Sequence, residues 1–95
     1  LSIAQIGAFE VNEAFAPVPM AWLKDIGADE KKLNPNGGAI AVGHPLGASG
    51  ARLALTGLRQ LERINGRYAL ISLCIGIGQG VATTQRGEPF WALPL

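Results

Sequence analysis

Residues 49–75 read SGARLALTGLRQLERINGRYALISLCI, and within them one kind of secondary structure gives way to another. From Ser49 to Ile64 the sequence predicts a helix, with Ser49 suited to the N-cap and Asn65-Gly66 to the left-handed stop. Small residues at Gly50, Ala54 and Gly57 mark its first half, where only Arg52 is charged, so that another backbone can approach closely. Its second half carries Arg59, Gln60, Glu62 and Arg63 and belongs in water. Past the stop, Tyr68 to Ile75 is a nearly continuous apolar run, the pattern of a strand covered on both faces. Val81 to Thr84 is expected to return beside it, joined through the glycine loop from Gly76 to Gly80 as a hairpin. The expected fold is therefore α/β, a mixed sheet with a buried helix behind it and a hairpin at its C-terminal end.

Upstream, Ala8 to Val11 reads as a short strand ending at Asn12, a residue suited to a turn or a helix N-cap. A helix follows. Pro17 and Pro19 fit only its first turn, where no backbone N–H is needed, and Val18, Trp22 and Ile26 then recur at helical spacing before Gly27 stops it. Asp29 to Lys32 is a solvated charge cluster, and residues 34–38, Asn-Pro-Asn-Gly-Gly, form a turn.

The composition narrows the function. Ninety-five residues make one small domain at most, and an apolar share of 48% is high for a chain that can hide only about two thirds of its unfolded surface. Burial is expected to be shared with other sequence. Eight Lys+Arg against seven Asp+Glu, with no basic run beyond Lys31-Lys32, give no footprint for nucleic acid or anionic lipid. A single cysteine, Cys74, and a single histidine, His44, build neither a disulfide framework nor a closed zinc site, so no metal is expected. No apolar stretch reaches the ~18 residues of a membrane span. The first residue is Leu1 rather than Met, and the chain is expected to be part of a longer parent working in a reducing, cytoplasmic setting.

Two uncharged segments hold the candidate chemistry, since 33–51 and 68–85 contain no Asp, Glu, Lys or Arg. Both are expected to be buried loops held against a partner surface. His44 stands in Gly43-His44-Pro45, and Pro45 pushes it toward extended backbone just ahead of a helix N-terminus. There a neutral imidazole serves as base or hydrogen-bond donor, while the alternative is a hydrogen-bonded structural histidine in a turn. Cys74 closes the apolar strand immediately before Gly76, Gly78 and Gly80, whose freed N–H groups suit an oxyanion site. Otherwise Cys74 is a small buried hydrophobe and the loop a plain turn. Asn12 either holds a water or, with Glu13 as an exposed carboxylate, caps the next helix. Neither glycine cluster has dinucleotide-binding spacing, and there is no P-loop lysine.

Three blocks, residues 12–16 (NEAFA), 37–50 (GGAIAVGHPLGASG) and 74–80 (CIGIGQG), resemble in order and spacing the C-terminal part of the thiolase family. The resemblance covers residues 1–86, and 87–95 read as a divergent tail. It implies the terminal part of a layered thiolase-type domain and acyl transfer between acyl groups and coenzyme A: reversible condensation or thiolysis of 3-ketoacyl-CoA through an acyl-cysteine.

By this resemblance His44 matches the residue that activates the nucleophilic cysteine and helps polarise a thioester oxygen. Cys74 matches the acid/base acting at the α-carbon. Asn12 matches the holder of a water in one oxyanion hole, the Gly76 N–H matches a donor of the other, and Ala14 and Phe15 line the pantetheine side. No cofactor is implied beyond the coenzyme A thioester as substrate.

The family's nucleophilic cysteine lies in an N-terminal domain, and no cysteine precedes Cys74 here. The isolated chain is expected to be inactive, with an N-terminal thiolase portion as its missing partner and a homo-oligomer as the parent assembly. Two alternatives stand beside this reading: a non-catalytic docking or binding module, and a ketoacyl-synthase-like condensing enzyme, against which Cys74 argues.

Overall fold

Residues 1–74 and 80–86 are described by a computed structural model. Six elements matter for the site: β1 (Ile6–Val11), α1 (Pro17–Ile26), α2 (Ala39–Val42), α3 (Ser49–Ile64), β2 (Tyr68–Cys74) and β3 (Gly80–Arg86). The strands form one mixed sheet in the order β1-β2-β3, with β1 parallel to β2 and β3 antiparallel to β2. Parallel neighbours need a crossover, and α3 supplies it. The expected α/β class, mixed sheet and packed helix are all present, and Cys74 pairs with Gly80.

The direction of α3 follows from its contacts with the sheet. A Cβ on Gly7, near the start of β1, would lie 3.3 Å from Leu61 and 3.1 Å from Ile64, at the end of α3. Midway, a Cβ on Gly57 would stand 3.0 Å from Ile71 Cδ1 and 3.6 Å from Glu10. At the far end Gly50 faces Leu73. Thus α3 runs antiparallel to β1 and β2 and brings its N-terminus to the edge where both strands end. Within the small-residue stripe, Gly57 packs closely on the chain's own sheet. The helix follows the expected span but not its expected cap: Ala48 is the N-cap, and Ser49 is the first helical residue, fully buried. Its C-terminus is held by Asn65, at φ 54°.

Ala8, Leu53, Leu61, Ala69 and Ile71 form the buried interior between the sheet and α3, while Phe9 is buried on the other face against Trp22 of α1. Each fully buried large apolar side chain is worth about 1.5–3 kcal/mol. Strand β1 is buried almost throughout because its outer edge is covered as well: Leu33 pairs with Phe9, and the Asn34 N–H donates to the Phe9 carbonyl at 2.8 Å. The Asn34 side chain continues the ladder, accepting from the Val11 N–H at 2.9 Å and donating to the Val11 carbonyl at 2.9 Å.

Three expectations are corrected. First, β2 is not sealed on both faces: Ala69 and Ile71 are buried under α3, while Tyr68, Leu70 and Ser72 are half-buried. Second, 33–51 is not a buried loop in this chain, for it contains the single turn α2 and exposes Ile40, Val42 and Leu46. Third, α1 begins at Pro17 with Ala16 at its N-cap, so neither Asn12 nor Glu13 caps it, and Glu13 is half-buried rather than exposed. The prolines do occupy its first turn and Gly27 ends it at φ 72°. Trp22 alone of the expected stripe packs well, with its ring 5.2 Å from that of Phe9, while Val18 and Ile26 remain exposed.

Candidate functional site

Asn12 and Cys74 stand at the C-terminal ends of the adjacent parallel strands β1 and β2, and the Asn12 N–H donates to the Ser72 carbonyl at 2.9 Å. Ligand sites in open parallel sheets favour this edge, because strand ends leave their loops and helix N-termini free to converge on it. Both residues line one cleft of about 180 Å³, walled by Val18 and Trp22 from α1 and floored by Ser72 and Leu73.

Asn12 is only 2% exposed, yet neither its side-chain Oδ1 nor its Nδ2 has a partner among the described residues. Buried amides are rarely left unpaired, since doing so costs about 1–3 kcal/mol per group. An orphaned donor and acceptor in the wall of a cleft are suited to hold a water or a ligand oxygen. Cys74 is exposed, which sets aside the reading of it as a buried hydrophobe.

His44, between α2 and α3, is tied to the N-terminus of α3 at the same edge of the sheet. Its Nδ1 lies 2.5 Å from Ser49 Oγ, and that hydroxyl in turn donates to the Pro45 carbonyl at 3.1 Å. A Ser49 hydroxyl that donates to Pro45 accepts from Nδ1–H, the tautomer that leaves Nε2 free to take a proton. The sequence placed Ser49 at the wrong station, as a cap, and missed it as the anchor of the histidine five residues before it. The only available signal was that spacing. His44 does not line the Asn12–Cys74 cleft; the fold brings it to the same edge of the sheet.

Ala14 and Phe15 lie just past Asn12 at this edge, Ala14 half-buried and Phe15 75% exposed. Gly76 and the rest of the glycine loop, residues 75–79, lie outside the described residues, as do 87–95. Among the described residues no group of three or more His, Cys, Asp or Glu side chains is placed to hold a metal ion, and no helix is long and apolar enough to cross a membrane.

Two acidic residues flank Asn12. Glu10 faces α3, fully buried, and neither of its oxygens has a hydrogen-bond partner among the described residues. Burial pushes its carboxyl up from 4.5 to about 7, against the opposing pull of Arg52 and with some reinforcement from Glu13. Glu13 turns the other way, toward α2. Its Oε2 accepts from Asn34 Nδ2 at 3.1 Å and its Oε1 from the Ile40 N–H at 3.1 Å.

Known proteins share both the sequence and the arrangement. The family model described as "Thiolase, C-terminal domain" matches residues 1–86. A steroid 3-ketoacyl-CoA thiolase of Mycobacterium tuberculosis is 61% identical over 83 residues, which are 87% of this chain and 20% of that protein. A beta-ketoadipyl-CoA thiolase of Acinetobacter baylyi is 57% identical over 84 residues, 86% of this chain and 21% of its own length. The crystal structure of human mitochondrial 3-ketoacyl-CoA thiolase in complex with CoA superposes with a TM-score of 0.84 at 47% identity, over 93% of this chain and 22% of that one. The chain thus spans about a fifth of the length of the curated relatives it matches.

Proposed function

The chain belongs to the thiolase family, matching its C-terminal domain, and from that premise we propose that it supplies the acid/base half of a site for acyl transfer to and from coenzyme A. The observation that carries the reading is the shared cleft, in which a buried, unpartnered Asn12 amide stands beside the exposed thiol of Cys74. The nucleophilic cysteine comes from an N-terminal thiolase portion, and the substrates are 3-ketoacyl-CoA and coenzyme A.

In thiolysis the free Nε2 of His44 takes the proton of the nucleophilic thiol, and the thiolate attacks the 3-keto carbonyl. The resulting Nε2–H then donates to a thioester oxygen. Cleavage of the bond between the α- and β-carbons leaves the acyl group on the nucleophile and an enolate on the departing acetyl-CoA. The Asn12 amide, through a water, helps carry the enolate charge, and Cys74 delivers its proton to the α-carbon. The Cys74 thiolate next takes the proton of incoming coenzyme A, whose sulfur attacks the acyl-cysteine, and the departing nucleophile thiolate recovers its proton from Nε2 of His44. Condensation runs the same steps backward. Gly76 contributes an N–H to the acyl oxyanion, and Ala14 with Phe15 borders the pantetheine arm. The thiolase match over residues 1–86 favours this chemistry over that of a ketoacyl-synthase-like enzyme.

The test is thiolysis of acetoacetyl-CoA by the purified chain, with and without a separately supplied thiolase N-terminal portion. Turnover is expected only in the mixture and should disappear with His44→Ala or Cys74→Ala. Asn12→Ala should lower it by on the order of a hundredfold, the typical cost of an oxyanion donor. Turnover by the chain alone would overturn the division of labour. Co-elution with the N-terminal portion but no turnover would instead favour a docking module.

A further inference from the structure

We propose that Glu13 is a positioning residue of this site, latching the Asn12 end of β1 to the start of α2 and thereby setting where His44 stands. The proposal deepens the acyl-transfer reading and rests on it for the importance of His44, but the latch itself stands on separate geometry.

A one-turn helix leaves most of its first N–H groups without partners, and an N-cap side chain normally takes one of them. The N-cap of α2 is Gly38, which has no side chain to offer. Glu13 supplies the acceptor from another element, taking the Ile40 N–H on Oε1. Its other oxygen accepts from Asn34 Nδ2, and Asn34 is bonded through the same side chain to both backbone groups of Val11. One carboxylate thus joins β1, the 34–38 turn and α2.

Gly38 is the complement of this latch. A Cβ built there would fall 2.5 and 2.7 Å from the two Glu13 oxygens, so the space a side chain would fill is already occupied by the carboxylate. Downstream, a single residue, Gly43 at φ 92°, separates α2 from His44. The end of α2 is therefore one residue from the histidine, while Ser49 fixes the ring from the other side. Hydrogen bonds to a charged acceptor are among the stronger ones, which suits a contact that must hold so short a helix.

The experiment is amide hydrogen exchange and imidazole NMR on the 95-residue chain. Glu13→Ala should speed exchange at Ile40 by on the order of tenfold and shift the His44 ring signals, while the Leu61 amide within α3 keeps its protection. Gly38→Ala, which evicts the carboxylate, should produce the same changes, and the double variant should resemble either single one. Glu13→Gln, which keeps one acceptor oxygen, should recover much of the Ile40 protection. Unchanged Ile40 and His44 signals in Glu13→Ala, or additive effects with Gly38→Ala, would overturn the latch. If Glu13→Ala also exposes Leu61, Glu13→Asp decides, because it keeps the charge but is one methylene short of both donors. Loss at Ile40 alone then supports the latch, and no change there refutes it. None of these readouts involves turnover, so a silent thiolysis assay beside an intact latch would overturn the acyl-transfer reading only.

Discussion

Glu10 and Ser49 are the two fully buried polar side chains nearest the site, and each has a measurable consequence. The Glu10 carboxyl keeps its proton in the folded state up to about pH 7, whereas in the unfolded chain it loses it near 4.5. Between those values unfolding releases a proton, so this contribution to stability is fully present below the lower value and declines as pH rises toward the upper one. The decline is on the order of 3 kcal/mol. Urea midpoints taken at pH 5 and pH 7.5 should fall with pH in the parent chain and remain nearly level in Glu10→Gln. An equal slope in the variant would assign the pH dependence elsewhere. Ser49→Ala removes the hydroxyl that holds Nδ1 of His44 and bonds Pro45. In the reconstituted enzyme it should lower kcat by roughly 10- to 100-fold, the cost of a misplaced catalytic group, and leave KM nearly unchanged. A rise in KM alone would contradict a positioning role.

The helix of the central crossover approaches its strands closely. Gly57 lies where α3 crosses Ile71 and Ala69, and a Cβ would meet Ile71 Cδ1 at 3.0 Å. Gly57→Leu should therefore destabilise the chain by about 1–3 kcal/mol, the usual penalty for overpacking, despite leucine's better helix propensity. Chemical denaturation followed by circular dichroism measures it, and a neutral or stabilising result would mean that α3 can move off the sheet. At this scale the sequence was legible where local rules act alone. The span of α3 followed from Asn65-Gly66, and the start of α1 from Pro17 and Pro19. It was misleading where a side chain answers to something distant. Ser49 looks like a cap because serine usually is one, but here Pro45 and His44 claim its hydroxyl. Glu13 looks like a solvated carboxylate because nothing local forecasts that Asn34 and Ile40 will meet it.

Across the whole molecule the apolar surface is unevenly spent. One side of the sheet is closed by α3, while Phe15, Met20, Val42, Leu46 and Leu55 are exposed, Leu46 at 82%. The folded chain alone should bind a hydrophobic dye such as anilinonaphthalene sulfonate, and a thiolase N-terminal portion should suppress the signal. Dye fluorescence that is unaffected by a portion restoring turnover would show that this surface is not the one covered. The uncharged segments 33–51 and 68–85 had suggested burial against a partner, and the first of them is largely solvent-facing within this chain.

The sequence by itself determined the main helix and strand spans, the α/β class and the family, because turn stops, proline positions and apolar periodicity are local, and because three motif blocks in a fixed order are specific. The tertiary structure alone decided which groups meet. It oriented α3 antiparallel to β1 and β2, brought Asn12 and Cys74 into one cleft, turned Ser49 onto His44 and set Glu13 against Gly38. Those pairings join residues far apart in the chain through crossover topology and side-chain packing, and a one-dimensional pattern carries no record of which distant group will fill a given space.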